Sequence, residues 1–235
     1  MNYETFILGE TVDLVLPNKD AIYKDGWNKW ISDPQANKYS GKGIYPVTKE
    51  QQENFLAALE APNSDRFALL IKPKDVATTV GVVSLSSINL QHKHADTALI
   101  LSSETSRYKD SIFFALEAKC RIVEHAFLKI GLNKVRGSQV VEYSKWQDYQ
   151  LIFGFRPEGI SRDGFFINQR YFNQIISSCI YEDYLKIVEE RGSYWPGKIK
   201  MLREMRRLQN LNLVDRFQKL VSDFHTEIDD LKGEA

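Results

Sequence analysis

The chain has 235 residues, 43% of them apolar and 26% charged, with 31 Lys plus Arg balancing 31 Asp plus Glu. That composition supports a sizeable globular core, and the zero net charge lacks the basic excess of a nucleic-acid-binding surface. No apolar run approaches the length of about 18 residues that a membrane span requires, and Met1-Asn2-Tyr3-Glu4 lacks a basic region leading into an apolar one, so neither a membrane partner nor a signal peptide is expected. The two cysteines, Cys120 and Cys179, stand at no metal-like spacing. They predict buried, reduced thiols, a cytoplasmic location and no metal.

Thr11 to Leu16 alternates Val12, Leu14 and Leu16 on one side, which predicts a half-buried strand ended by Pro17-Asn18. Asp20 to Ile31 places Ile22, Trp27, Trp30 and Ile31 at helical spacing, and Asp33-Pro34 stops it. Lys38 to Pro46 is a loop with two glycines and two tyrosines. Thr48-Lys49-Glu50-Gln51 then carries the capping-box pattern at the start of a helix that buries Phe55, Leu56 and Leu59. Phe67–Ile71, Thr79–Ile88 and Thr97–Leu101 read as a meander of antiparallel strands, because their connections are too short for a helical crossover.

Lys109 to Ile130 is the strongest helical pattern. Ile112, Leu116, Val123, Phe127 and Ile130 recur at three-, four- and seven-residue steps, and Gly131 stands where a left-handed helix end is wanted. A strand over Asn133–Val141 and a short helix over Trp146–Phe153 follow, the latter ended by Gly154. Phe155, Phe165 to Ile167 and Tyr171 to Ile180 supply the last strands. Beyond Tyr181 come a helix over Tyr184–Glu190, a loop over Gly192–Gly197, and helix formers from Lys198 to Leu231. In that last stretch Leu213, Phe217, Leu220, Phe224 and Leu231 form a heptad-like seam. It suits either packing on its own domain or a homodimer through the C-terminal helix.

Seven segments in this order resemble the GNAT superfamily of acetyl-coenzyme A-dependent N-acetyltransferases, within it most of all the ribosomal-protein alanine N-acetyltransferase branch. They are Gly9-Glu10-Thr11-Val12-Asp13-Leu14, Trp30-Ile31-Ser32-Asp33-Pro34, Val80-Gly81-Val82-Val83-Ser84-Leu85, Ala115-Leu116-Glu117-Ala118, Glu124-His125-Ala126-Phe127, Gly131-Leu132-Asn133-Lys134-Val135 and Gly154-Phe155-Arg156-Pro157-Glu158-Gly159. The match spans roughly residues 8 to 182. It implies an α+β fold with three layers: a mixed, mostly antiparallel sheet flanked by helices, in a domain over 1–182 with a helical C-terminal extension over 183–235. The sheet would splay between its fourth and fifth strands, and acetyl-coenzyme A would lie in the cleft. Its pantetheine would pair with the fourth strand at Leu99, Ile100, Leu101 and Ser102, since an exposed strand edge binds an amide-bearing chain as another strand would.

The start of the long helix departs from the family, which places an Arg or Gln and two small residues against the pyrophosphate. Asp110, Phe113 and Ala115 stand there, and only Ala115 fits. Arg107, Lys109 and Ser111 are the residues left to serve a shifted phosphate-binding turn. Tyr143 and Trp146 replace the Asn and Ser common near the short helix.

The reaction the resemblance implies is attack of a neutral amine on the thioester, with one group to take the amine's proton and another to protonate the departing thiolate. Glu104, just past the fourth strand, is the candidate for the first role. Tyr149 on the short helix is the candidate for the second. Tyr39 and Tyr45 of the glycine-containing loop, with Ser84, Ser86, Asn89 and Asp96, are the candidate substrate-binding residues. The acceptor would be a small-molecule amine (an amino sugar or an aminoglycoside) or a protein or peptide N-terminus; the competing expectation is a catalytically degenerate GNAT-like binding or assembly module.

Overall fold

The computed structural model describes residues 3–40, 45–208 and 211–233. Eight strands form one sheet in the order β1-β2-β3-β4-β5-β6-β8-β7. They are β1 (Thr5–Ile7), β2 (Val12–Val15), β3 (Phe67–Pro73), β4 (Gly81–Asn89), β5 (His94–Leu101), β6 (Lys134–Val140), β7 (Arg156–Ile167) and β8 (Arg170–Ile180). The pairing of β5 with β6 is parallel, and every other neighbouring pair is antiparallel. The expected meander is present as β3-β4-β5.

Two helices on one face follow β2. The stretch Asp20 to Ile31, expected as one helix, is interrupted at Gly26, whose φ of +81° suits a residue without Cβ. A π-helical segment, Ala21–Asp25, precedes it and α1 (Trp27–Ser32) follows. The helix α2 (Lys49–Glu60) has the expected capping box, in which Thr48 Oγ1 accepts from the Gln51 N–H and Gln51 Oε1 accepts from the Thr48 N–H. Trp27, Trp30 and Leu56 pack there with Leu70 and Val82 of the sheet.

The opposite face is covered by α3 (Ser111–Leu128), whose Leu116, Val123 and Phe127 join Leu14, Leu69, Val83 and Val135 in the larger core cluster. Its end runs into Gly131 at φ +74°. Glu117, fully buried on α3, accepts hydrogen bonds from the N–H groups of Glu10, Thr11 and Val12 and so fastens the β1–β2 turn to the helix. The short helix α4 (Ser144–Ile152) leads to Gly154, also at φ +74°.

The core does not stop at residue 182. From α5 (Tyr181–Arg191), Tyr184 and Ile187 belong to the α3 cluster, and so do Tyr194, Trp195 and Met201 beyond it. The run from Lys198 to Leu231, expected as continuous helix, is α6 (Lys198–Arg207) and α7 (Leu213–Gly233), separated at Asn212 with φ +45°. Asn is among the few residues that adopt this left-handed conformation at low cost. Val214 and Phe217 anchor α7 against Val141 and Ile175, whereas Leu220, Phe224 and Leu231 of the seam are 65%, 59% and 63% exposed.

Candidate active site

The site begins where two strands part. β5 and β6 pair at His94 with Lys134, Ala95 with Val135 and Asp96 with Arg136. Beyond Asp96, β5 continues with β4 as far as Leu101, and β6 continues with β8 as far as Val140. The edge of β5 from Thr97 onward therefore faces the gap without β6. A cavity of about 860 Å³ fills the gap, walled by Thr97 to Ile100, by Gly137 to Gln139, and by Tyr143, Trp146 and Gln150. Alternation along β5 gives the cavity two sides. Leu99 packs toward the α3 cluster, while Ile100 packs toward the α1–α2 cluster.

On the α1–α2 side, Tyr39 and Ser86 line the cavity with Asp96. Asp96 is held by a two-pronged ion pair from Arg136, at 2.8 and 3.2 Å. The Tyr39 ring stacks on Tyr143 at 4.6 Å between centroids, and Tyr143 in turn lies parallel to Trp146. These rings make a flat aromatic wall at the mouth.

On the α3 side stands a residue not anticipated from sequence. Lys119 lines the cavity, is 2% exposed and donates to Thr97 Oγ1 at 3.2 Å. Its ammonium lies 4.7 Å from the centre of the Phe155 ring. Burial pulls its pKa down to about 7. The sequence did hold a signal: Lys119 sits three residues after Leu116 and four before Val123, within the apolar stripe of α3.

A pantetheine thioester fits the inner part of this cavity. Its amides need acceptors and donors, and the free β5 edge presents both. Gln139 and Gln150 line the gap too, but their Oε1 atoms are enclosed by protein and not presented to the cavity. The phosphate-binding turn does not fit. Asp110 stands at the N-cap position of α3 without a side-chain capping bond and is paired instead with Lys198 at the start of α6, at 2.5 Å. The Lys198 ammonium also lies 5.5 Å from the ring of the buried Phe113, so carboxylate and bulk occupy the place where a backbone would need to approach phosphate.

Of the sequence-derived candidates, Tyr39, Ser86, Asp96, Leu99 and Ile100 meet at the cavity. Leu101 and Ser102 lie farther along, Leu101 opposite Gly81 and Ser102 donating its N–H to Val80. Ser84 faces a small separate hollow beside Trp27 and Phe55. Asn89 accepts from the His92 N–H and so shapes its turn. Tyr45 is 80% exposed and away from the cavity wall, and Gly41 to Ile44 of its loop lie outside the described residues.

Glu104 and Arg107 pair with each other at 3.3 Å in a different concavity, beyond the end of β5. Lys109 is exposed, and Ser111 opens α3 away from the cavity wall. Tyr149 packs edge-on to Trp146, with its hydroxyl pKa raised by burial, and does not line the cavity. The two groups expected to move protons are thus both outside the gap. Their spacing relative to Gly154 and β5 placed them near the cleft, but burial and a local ion pair hold them elsewhere.

No family model and no curated relative matches the sequence. Solved structures do match in three dimensions. The spermidine N-acetyltransferase of Vibrio cholerae, determined in complex with CoA and spermine, superposes with a TM-score of 0.66 at 20% identity, over 75% of this chain and 99% of that one. A T. thermophilus protein described as a candidate acetyltransferase superposes with a TM-score of 0.60 at 15% identity, over 81% of this chain and 96% of that one. With its sheet parted between β5 and β6 and α3 across one face, the chain has the fold of the GNAT N-acetyltransferases.

Proposed function

We propose that the protein is an acetyltransferase that takes acetyl from acetyl-coenzyme A and passes it to an amine. The observation that carries this reading is the gap at Thr97 and Gly137, which offers an unpaired strand edge to an amide-bearing chain. Thr97 to Leu101 would hold the pantetheine as a further strand. A β5 backbone N–H would polarise the thioester carbonyl, and water in the cavity would take the proton released by the attacking nitrogen.

The acceptor enters from the side of Tyr39 and Tyr143. On this side the cavity wall carries Lys38 and Arg136 against one carboxylate, Asp96, which Arg136 already occupies. Such a lining repels a polycation. It favours an acceptor with a single amine, an amino sugar or a protein N-terminus, over a polyamine or an aminoglycoside, and the flat Tyr39–Tyr143 pair suits a sugar ring or peptide plane.

Acetyl-coenzyme A is expected to raise the thermal midpoint of unfolding, because a ligand that binds only the folded state stabilises it. No shift at millimolar concentration would overturn the reading. A second reading, a GNAT-fold module without catalysis, draws support from the filled turn at Asp110, Phe113 and Lys198. It predicts no shift and no transfer to any amine.

The exposed seam of α7 supports self-association through Leu220, Phe224 and Leu231 in a cytoplasmic protein. Removal of residues 211 to 235 should then lower the mass measured in solution from dimer to monomer. An unchanged mass would remove that idea.

A further inference from the structure

Lys119 is a charged group for which the fold has no evident use. The groups that face its ammonium are Thr97 Oγ1 from β5, the Phe155 ring, Cys179 from β8 and Cys120 from α3 itself. Both thiols are kept neutral by burial. Among the described residues no carboxylate pairs with Lys119, and the carboxylate on the cavity wall, Asp96, is engaged by Arg136. Lys119 lines the cavity while its side chain is otherwise buried. A buried ammonium without a counter-ion is costly, and lysines in such settings are functional candidates.

The side on which it stands decides what it meets. Thr97, Leu99 and Lys119 belong to the α3 side of the gap, whereas Asp96, Ile100 and the Tyr39 wall belong to the side assigned above to the acceptor. Resting on the acetyl-coenzyme A reading, we propose that the Lys119 ammonium is the counter-charge for the thiolate that leaves during acetyl transfer. The C–S bond breaks with its electron pair on sulfur as the acceptor nitrogen bonds the carbonyl carbon, and the ammonium faces the negative charge that develops there. The proton lost by that nitrogen passes to water, and the coenzyme A thiolate takes its proton from solvent after release.

Free coenzyme A, with its thiol, is the probe, and the thiolate's short-wavelength ultraviolet absorbance is the readout. Bound to the wild-type protein, the thiol should ionise at a pH below that of free coenzyme A, because the Lys119 ammonium stabilises the anion. In Lys119→Met, coenzyme A should still raise the thermal midpoint, but its thiol should ionise no earlier than in solution. Turnover should fall roughly 100-fold, in the range of a lost electrostatic stabiliser, with the acceptor KM unchanged. The alkaline limb of the wild-type rate profile, beginning near pH 7 where Lys119 loses its proton, should disappear.

Normal thiol ionisation on the wild-type protein, despite a clear thermal shift, would overturn the Lys119 role and leave the acetyl-coenzyme A reading standing. The wild-type measurement needs no variant and so does not depend on Lys119→Met folding. No thermal shift with wild-type protein would overturn both.

Discussion

The substitution Glu117→Gln tests how the cleft's supporting helix is fastened to the sheet. The buried Glu117 carboxylate accepts from Glu10 N at 2.7 Å, Thr11 N at 2.6 Å, Thr11 Oγ1 at 2.7 Å and Val12 N at 3.3 Å. Arg121 adds contacts at 3.2 and 3.0 Å from the next turn of α3. Glutamine has nearly the same shape but turns one acceptor oxygen into a donor: at the Oε1 place the Glu10 N–H and both Arg121 contacts lose their partner, at the Oε2 place the Thr11 and Val12 N–H groups do. Each buried donor left unpaired costs about 1–3 kcal/mol, and the charge that strengthened the other bonds is gone as well. A loss of roughly 3 kcal/mol follows.

Urea unfolding followed by the fluorescence of the four tryptophans measures this. With a slope of about 3 kcal/mol per molar, the midpoint should fall by about 1 M with the slope unchanged. Thr11→Val removes only the hydroxyl contact and should cost about 1 kcal/mol. A Glu117→Gln midpoint within about 0.3 M of wild type, equivalent to about 1 kcal/mol, would show that the turn is not held by this carboxylate. The consequence reaches the extension too, because Glu10 Oε2 accepts from Trp195 Nε1 at 2.9 Å and from the Lys198 N–H at 3.2 Å.

Three further outcomes are expected. Gly9→Ala should destabilise by about 3 kcal/mol in the same urea assay, as overpacking does, since a Cβ there would lie 2.1 Å from Val12 O and 2.7 Å from Glu117 Oε1. Tyr143→Ala should raise the acceptor KM about fivefold with kcat little changed, by loss of a stacking partner worth about 1 kcal/mol; unchanged KM in a steady-state assay would place the acceptor elsewhere. Burial lowers the folded-state pKa of Lys119 to about 7 from 10.5, so the unfolded chain binds more protons between those values and stability relative to Lys119→Met should rise as pH climbs from 7 toward 10. A flat difference across chemical denaturation at pH 6, 8 and 10 would show that Lys119 is not desolvated.

Local chemistry made much of the fold legible. The apolar stripe of α3, the Thr48 capping box and the left-handed glycines Gly131 and Gly154 each act within a few residues, and each was readable for that reason. β1 was not readable, because three residues with an exposed Phe6 carry no alternation, and only pairing with β2 makes them a strand. The division of the last helix at Asn212 depends on packing of Val214 and Phe217 against Val141 and Ile175, contacts far apart in sequence.

The site divides in the same way. Leu99, Ile100, Ser86 and Asp96 reach the cavity because strand register puts them there. Glu104 and Tyr149 were placed by proximity to an element, and proximity does not give the direction of a side chain. Lys119 is masked in the sequence because the seven-residue step from Leu116 to Val123 already satisfies the helical pattern. A lysine at the skipped position is a local contradiction, and such contradictions mark functional sites more often than errors.

The two ends of the cleft make opposite statements about the cofactor, and magnitudes decide between them. The Asp110–Lys198 pair is 43% and 38% exposed on its two side chains, so it contributes at most about 1 kcal/mol and a phosphate group would displace it readily. Phe113 is different. It is buried in the α3 cluster, and removing an aromatic ring from such a place costs about 3–5 kcal/mol. The obstacle to a phosphate at this turn is therefore the ring and not the ion pair, and the turn should stay closed. Acetyl-pantetheine, which lacks the nucleotide, should then serve as donor with a kcat/KM within about tenfold of acetyl-coenzyme A, the difference of about 1.4 kcal/mol left to loose surface contacts. A loss of about a thousandfold, or about 4 kcal/mol, would mean that the protein grips the phosphates after all. Phe113 would in that case have to leave its place in the core when the cofactor binds.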